Sequence, residues 1–347
     1  MNAQIAAKKN SELRNKGHYS LLMLGNIAEV VVGLALLIWG ADRFVHGSSA
    51  LARNFGVAPL MIGLTIVAFA TSAPEILVSV VAALRGEPGL AIGNAIGSNI
   101  ANIGLVLGAV ALFRPIELKS ATLRREMPAL LAASLLTVAL FLDSTLTRLD
   151  GFGLLISLVV VIVWLVRLAL RSSASDPLQA DFDAEIPKDM KSGVAASWLL
   201  VGICTLLFGA DLLVNGAIEI ARAVGVSEVV IGITLVALAT SLPELAVSLV
   251  SVIRGEYGLA IGNIVGSNIF NLLAVIGVAA AIQPAVLPPS ILSTHIFVMV
   301  AFTLILFAMT YEYDGCGTIS RFKGFLLVTA YTAFTTYVVV QNVRIPV

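Results

Sequence analysis

The run ATSAPE at residues 70–75 decides how this sequence is interpreted, because it returns as ATSLPE at residues 239–244. In each copy, two hydroxyl residues precede a proline and a glutamate within an otherwise apolar stretch. Proline lacks an amide hydrogen and clashes with the preceding helical turn, so Pro74 should free backbone carbonyls near Ala68 to Ala70. Each helix would then present hydroxyl, carbonyl and carboxylate oxygens in one place.

The duplication extends well beyond this run. With a constant offset of 169 residues, four further segments of the first half match segments of the second half. They are GAD at 40–42 and 209–211, IGLTIVAF at 62–69 and IGITLVAL at 231–238, GLAIGN at 89–94 and 258–263, and GSNI at 97–100 and 266–269. Shared apolar composition would match Leu with Val but would not repeat Thr-Ser-x-Pro-Glu. The chain therefore contains an internal repeat.

Composition places this repeat in a membrane. Of the 347 residues, 59% are hydrophobic and 12% are charged, whereas an ordinary soluble domain has about 25% charged residues. So much apolar surface cannot be hidden in one core and must face lipid. The sequence predicts an all-α polytopic membrane protein with ten transmembrane helices, at about 26–50, 57–84, 88–111, 126–142, 151–170, 195–222, 226–253, 257–281, 290–310 and 322–341.

The ten spans divide into two inverted five-helix repeats. An odd number of spans per copy makes the second copy enter the membrane in the opposite direction, as in many secondary transporters. We expect an N-terminal tail at 1–25, a first repeat at 26–171 with its motifs at 62–108, a linker at 172–194, and a second repeat at 195–347 with its motifs at 231–277. We expect a plasma (inner) membrane protein, and the distribution of Lys and Arg predicts a cytoplasmic linker with both termini outside.

The repeated polar residues favour a site for hard cations. Glu75 and Glu244 would be costly at mid-bilayer, at about 2.5–3.5 kcal/mol each for an acidic residue, so their duplication indicates use. One Ca²⁺, two Na⁺ or two protons would each balance the two carboxylates, and competition between these ions is a mechanism for exchange. Oxygen ligands without thiolate or imidazole suit Na⁺ and Ca²⁺. The alternatives are a simple helix kink, tight packing of the glycine-rich runs, and a buried protonated acid.

These two pairs of motifs resemble the α-repeats of the Ca²⁺/cation antiporter superfamily, and most closely its prokaryotic sodium/calcium exchanger branch. The resemblance covers nearly the whole chain. It implies a ten-helix inverted-repeat fold, exchange of Na⁺ for Ca²⁺ at clustered central sites, and a long first helix in each half that slides to alternate access. Several sodium/calcium members of the superfamily carry Asp at the position of Asn271, and potassium-dependent members carry Asp at the positions of both Asn271 and Asn102. Both are Asn here, which speaks against potassium co-transport.

Carried over by motif position, the resemblance implies a set of metal ligands to which each half contributes six residues. Glu75 and Glu244 would be the direct Ca²⁺ carboxylates. The full set is Ala68, Thr71, Ser72, Glu75, Ser98 and Asn102 in the first half, and Ala237, Thr240, Ser241, Glu244, Ser267 and Asn271 in the second. Asp42 and Asp211 are expected to be capping or interfacial residues, not ligands.

Other functions fit the sequence less well. A Ca²⁺/H⁺ or other-cation antiporter on the same fold is the alternative, followed by a passive channel and an intramembrane enzyme. No metal-ligating His cluster, nucleophile-base set or phosphate-binding loop occurs in the sequence, so we predict neither enzyme activity nor a cofactor. The 21 basic and 21 acidic residues balance, which gives no reason to expect nucleic acid. The expected partners are the lipid bilayer and the transported cations, without an obligate protein partner.

Overall fold

The structure is a computed structural model that describes residues 2–57, 59–118, 123–172, 190–225, 239–287, 294–310 and 317–343. These residues are mostly helical. The helices are α1 (Asn2–Asn54), α2 (Pro59–Thr71), α3 (Ala73–Leu84), α4 (Pro88–Phe113), α5 (Leu123–Phe141), α6 (Arg148–Ser172), α7 (Ser192–Ala223), α8 (Leu242–Ile253), α9 (Tyr257–Ile282), α10 (Ile296–Thr310) and α11 (Arg321–Val343). Four short strands complete the described elements: β1 (Ile116–Leu118), β2 (Thr145–Leu146), β3 (Ala285–Val286) and β4 (Gly317–Ile319).

Six of the described helices are long and apolar enough to cross a membrane. They lie in α1, α4, α6, α7, α9 and α11, and the bent pair formed by α2 and α3 is a seventh candidate. Three shorter apolar helices, Met127–Phe141, Leu242–Ile253 and Ile296–Thr310, occupy further predicted spans. The total of ten crossings and the inverted arrangement stay predictions. Most of the predicted linker, at 173–189, and residues 226–238 of the seventh predicted span lie outside the described residues.

The first helix is longer than its predicted span. It begins at Asn2, within the segment that the sequence assigns to an N-terminal tail, and its apolar part runs from Leu22 to Asn54. The side chains of residues 2–21 are outside the described part of the structure.

The two helices that carry the Gly-Asn-x-x-Gly-Ser-Asn runs form the centre of the molecule. In α4 and α9, 72% and 89% of the apolar window is buried, against 11–22% in the other long helices. Both contain a π-helical turn, which begins at Asn102 in α4 and at Asn271 in α9. Turns of this kind are rare and occur often at functional sites. The outer helices consequently face lipid, and the motif-bearing helices α4 and α9 do not.

The long first helices of the two halves, α1 and α7, pack along each other with their backbones in direct contact. A Cβ atom added at Gly40 would lie 2.5 Å from the backbone nitrogen of Leu206, and one added at Gly209 would lie 2.5 Å from that of Leu37. These two contacts are equivalent under the 169-residue offset. Only glycine permits this approach, so α1 and α7 form one closely packed unit.

Two short antiparallel strand pairs join the halves, and the sequence did not predict them. β1 of the first half pairs with β4 of the second, with Glu117 opposite Thr318. β2 pairs with β3, with Thr145 opposite Val286. Each pairing thus connects a segment of one half to a segment of the other.

Candidate cation-binding site

Each candidate carboxylate lies in the first turn of a helix that begins at a break. Between α2 and α3, Ser72 has a non-helical backbone (φ −82°, ψ 3°), and the two helices meet at an angle of 42°. Pro74 and Glu75 follow in the first turn of α3. Ser241 (φ −90°, ψ 0°) precedes α8 in the same way and places Glu244 in its first turn. The free amide groups and positive dipole of a helix N-terminus stabilise a carboxylate at this position.

The predicted release of backbone carbonyls is only partly seen. The Ala68 carbonyl accepts a hydrogen bond from the Ser72 amide at 2.9 Å and a longer one from the Thr71 hydroxyl at 3.4 Å. Pro74 itself removes the donor that would bind the carbonyl of Ala70, four residues earlier. Ala237, the predicted counterpart of Ala68, lies outside the described residues.

Glu75 and Glu244 lie near each other in the interior. Both side chains are fully buried, and their carboxylates are close enough to repel each other. The Ser72 hydroxyl donates to Oε1 of Glu244 at 3.5 Å. The Thr240 hydroxyl lies beside Glu75 without hydrogen-bond geometry, and no group in the described ranges donates a hydrogen bond to either Glu75 oxygen or to Oε2 of Glu244. Two buried acids with so few donors require cations or protons to balance them.

Hydroxyl and amide groups of both halves surround this pair. The Thr71 hydroxyl of α2 donates to Oδ1 of Asn263 at 3.0 Å and lies 3.3 Å from the Ser267 hydroxyl, both on α9. Asn263 Nδ2 donates to the Ser248 hydroxyl at 3.1 Å and to the Glu244 carbonyl at 3.4 Å. Asn263 therefore links α2, α8 and α9, although the predicted ligand set omits it. Its place in the repeated Gly-Asn-x-x-Gly-Ser-Asn run is the signal that could have found it.

A second polar layer consists of asparagines on α4 and α9. Asn102 Nδ2 donates to Oδ1 of Asn268 at 3.2 Å, and Asn99 Nδ2 donates to the Asn268 carbonyl at 3.2 Å. Among the described residues, Oδ1 of Asn102 and the whole amide of Asn271 have no hydrogen-bond partner, although both side chains are fully buried. Amide oxygens of this kind are suitable ligands for Na⁺ and Ca²⁺.

The structure brings most of the predicted ligands together. Described contacts connect Thr71, Ser72, Glu75, Thr240, Glu244 and Ser267 across the two halves. Ser98 and Asn102 are buried on α4, Asn271 is buried on α9, and Ser241 is buried just before α8. The π-helical turn at Asn102 packs on α8, which carries Glu244, and the turn at Asn271 packs on α3, which carries Glu75. Within the described ranges, no group of three or more His, Cys, Asp and Glu occurs. A cation at the glutamate pair would therefore be bound largely by hydroxyl, amide and backbone oxygens.

One face of the site adjoins a cavity. The cavity has a volume of about 170 Å³ and reaches Thr240 and both motif prolines. Its wall on α7 consists of Leu207, Ala210, Asp211 and Val214. The equivalent residues on α1 include Ala41 and Val45, which are fully buried. The two halves therefore differ at this position, where Val45 is fully buried and Val214 is partly exposed.

Asp42, which we expected to cap a helix or lie at an interface, binds the other half of the molecule. Arg254, the residue after α8, donates through Nε to Oδ1 of Asp42 at 2.9 Å and through Nη2 to the same oxygen. Asp211, its repeat equivalent, accepts a hydrogen bond from Asn215 at 3.1 Å.

Comparison with known proteins identifies the family. The family described as "Sodium/calcium exchanger protein" matches residues 26–167 and 194–340, once in each half. The protein CaxA of Alkalimonas amylolytica is 45% identical over 305 residues, which cover 88% of this chain and 96% of the relative. The inner membrane protein YrbG of Escherichia coli is 40% identical over 285 residues, 82% of this chain and 88% of the relative.

The fold comparison agrees with the sequence comparison. A solved structure of the sodium-calcium exchanger NCX_Mj superimposes with a TM-score of 0.77 at 34% identity, and covers 90% of this chain and 98% of that one. The predicted resemblance is thus confirmed, and an inner-membrane location fits the bacterial relatives. The chain belongs to the sodium/calcium exchanger family of transmembrane cation antiporters.

Proposed function

We propose that this antiporter exchanges Ca²⁺ against Na⁺ at the site formed by Glu75 and Glu244. The observation that carries this proposal is the burial of two carboxylates from helices of the two halves, with Ser72 of the first motif 3.5 Å from Glu244 of the second. Their charge of −2 is balanced by one Ca²⁺ or by two Na⁺. Because the same oxygens would hold either load, binding of one ion requires that the other leave.

The ligands of these ions would be hard oxygens. We assign Ca²⁺ to the Glu75 and Glu244 carboxylates together with the Thr71, Ser72, Thr240 and Ser241 hydroxyls around them. Ser98, Asn102, Ser267 and Asn271, with the carbonyls of Ala68 and Ala237, would complete the Na⁺ sites. The buried amide of Asn271, which has no partner among the described residues, supports its assignment as a ligand.

Transport would proceed by alternating access between two inverted repeats. Two sets of contacts support this arrangement. α4 of the first half packs on α11 of the second, while α9 of the second packs on α6 of the first. The strand pairs β1–β4 and β2–β3 are related in the same way. A pseudo-two-fold relation between the halves predicts both sets, as expected for an inverted-repeat carrier.

The test is ⁴⁵Ca²⁺ uptake into liposomes that contain the purified protein and are loaded with Na⁺. We expect uptake when Na⁺ is diluted outside and little uptake when the Na⁺ gradient is collapsed. Uptake that ignores Na⁺ and follows a pH gradient would overturn Na⁺ coupling in favour of Ca²⁺/H⁺ exchange. An empty-liposome control and a Glu75→Gln protein, which removes one of the two charges without changing the side-chain shape, define the background.

A further inference from the structure

An ion pair links the first half of the molecule to the end of the glutamate-bearing helix of the second half. The Arg254 guanidinium makes two N–H contacts with Oδ1 of Asp42 on α1, and its Nη1 lies 3.4 Å from Nδ1 of His46. Both charged side chains are about one-third exposed. The pair therefore sits at the edge of the interior, between α1 and the turn that follows α8.

The internal repeat provides a second copy of both partners. The offset of 169 residues relates Asp42 to Asp211 and Arg254 to Arg85. Arg85 directly follows α3, the helix that carries Glu75, as Arg254 follows α8. Among the described ion pairs, none joins Arg85 to Asp211. One of two equivalent pairs is therefore formed.

The ion pair that is formed lies beside the more buried of the two equivalent faces of α1 and α7. Next to Asp42, the side chains of Ala41 and Val45 are fully buried. Next to Asp211, the equivalent Ala210 is also buried, but Val214 is partly exposed, and both line the cavity that reaches Thr240. Among the described residues, the ion pair thus lies beside the fully buried Val45, while the side without an ion pair has the partly exposed Val214 at a cavity.

We propose that Arg254 and Asp42 form a latch that keeps the first-half face closed, and that Arg85 and Asp211 form the same latch in the opposite state. The inference rests on the alternating access proposed above. Because the backbones of α1 and α7 touch, the two helices would shift together relative to α3 and α8, which breaks one pair as the other forms. One pair in each state keeps the two states close in free energy, so that differences in ion binding are sufficient to shift the equilibrium. Arg254 is in this sense a positioning residue.

Cysteine labelling tests the latch without measuring transport. In the full-length protein with Cys204 and Cys316 replaced by Ser, Val45→Cys reports on the closed face and Val214→Cys on the open face. Both are treated with a membrane-impermeant maleimide in detergent, where both faces meet the reagent. In the parent we expect faster labelling at position 214. Arg254→Gln should raise the rate at position 45 by about threefold to fivefold and lower it at position 214.

Arg85→Gln is the matched control. Loss of its charge should change the two labelling rates in the opposite directions, because it weakens the pair of the opposite state. Equal changes in both Arg variants, or none in either, would overturn the latch. A double variant, Asp42→Arg with Arg254→Asp, should return position 45 to slow labelling, which separates loss of the pair from misfolding. Since no Na⁺ or Ca²⁺ gradient is used, a failed latch with intact Na⁺-driven uptake would leave the proposed exchange standing. The expected labelling changes without Na⁺-driven uptake would leave the latch standing and overturn the proposed exchange.

Discussion

The α1–α7 contact and the cation-binding site differ in symmetry, although the same duplication produced both. In the contact, Gly40 and Gly209 meet equivalent backbone atoms at the same distance of 2.5 Å. In the site, Thr71 donates to Asn263, whereas the equivalent Thr240 hydroxyl and Asn94 Nδ2 have no hydrogen-bond partner among the described residues. The halves are therefore alike where the long helices pack and unlike where ions would bind. We infer that the structure captures one side of a cycle that exchanges these two environments.

The largest expected effect is the loss of either carboxylate. If both halves contribute equally to one site, Glu75→Gln and Glu244→Gln should each reduce Na⁺-dependent ⁴⁵Ca²⁺ uptake by about 100-fold or more, since each leaves a divalent ion poorly compensated in a buried site. Size-exclusion profiles would establish that both variants are folded. Near-normal uptake in one of them would show that the two glutamates do not contribute equally to the site.

Substitutions in the α1–α7 contact test its symmetry. Gly40→Ala and Gly209→Ala should lower stability by a similar amount, about 1–3 kcal/mol each, because the new methyl group meets backbone that cannot move aside. Thermal unfolding in detergent is the measurement. Gly153→Ala on α6, where no described atom lies within 4 Å, is the control and should be neutral or stabilising. A large difference between the first two variants would contradict a symmetric contact.

The asparagines test the asymmetry of the site. Asn263→Ala leaves the Thr71 and Ser248 hydroxyls without their partner, and we expect the half-saturating Ca²⁺ concentration to rise about tenfold, as for an unsatisfied buried hydrogen bond. Asn94→Ala removes an amide whose nitrogen makes no described hydrogen bond and should have a smaller effect. Equal effects would mean that the two states are equally populated during turnover.

The smallest difference is expected between Ser248, which binds Asn263, and its repeat equivalent Ser79. The Ser248 hydroxyl accepts from Asn263, while the equivalent Ser79 hydroxyl is buried and lacks a hydrogen bond within the described residues. Ser248→Ala should weaken Ca²⁺ binding by a few-fold, in line with one hydrogen bond of about 1 kcal/mol. Ser79→Ala should leave binding close to that of the parent. Isothermal titration with Ca²⁺ in detergent compares the two, and a stronger effect of Ser79→Ala would contradict the asymmetry of the site.

Local sequence predicted the elements that depend on local chemistry. Pro74 and Pro243 predicted a disturbed backbone beside each glutamate, which is seen at Ser72 and Ser241, and each predicted span overlaps a described helix. The sequence could not predict which half is closed, because the motifs are nearly identical and only tertiary packing distinguishes Asn263 from Asn94. The Asp42–Arg254 pair spans 212 residues, so periodicity gives no sign of it. The strand pairs were missed because segments of two or three residues carry too little pattern.

The strand pairs also constrain how the protein is made. β1 is complete early in synthesis, but its partner β4 precedes the last helix, and β3, the partner of β2, is also made in the second half. The first half therefore emerges from the ribosome with two unpaired strand edges that only later translation can satisfy. Until then water can bind these edges, which at two and three residues are too short to serve as a template for another chain. Both halves must therefore be present before either strand pair can form.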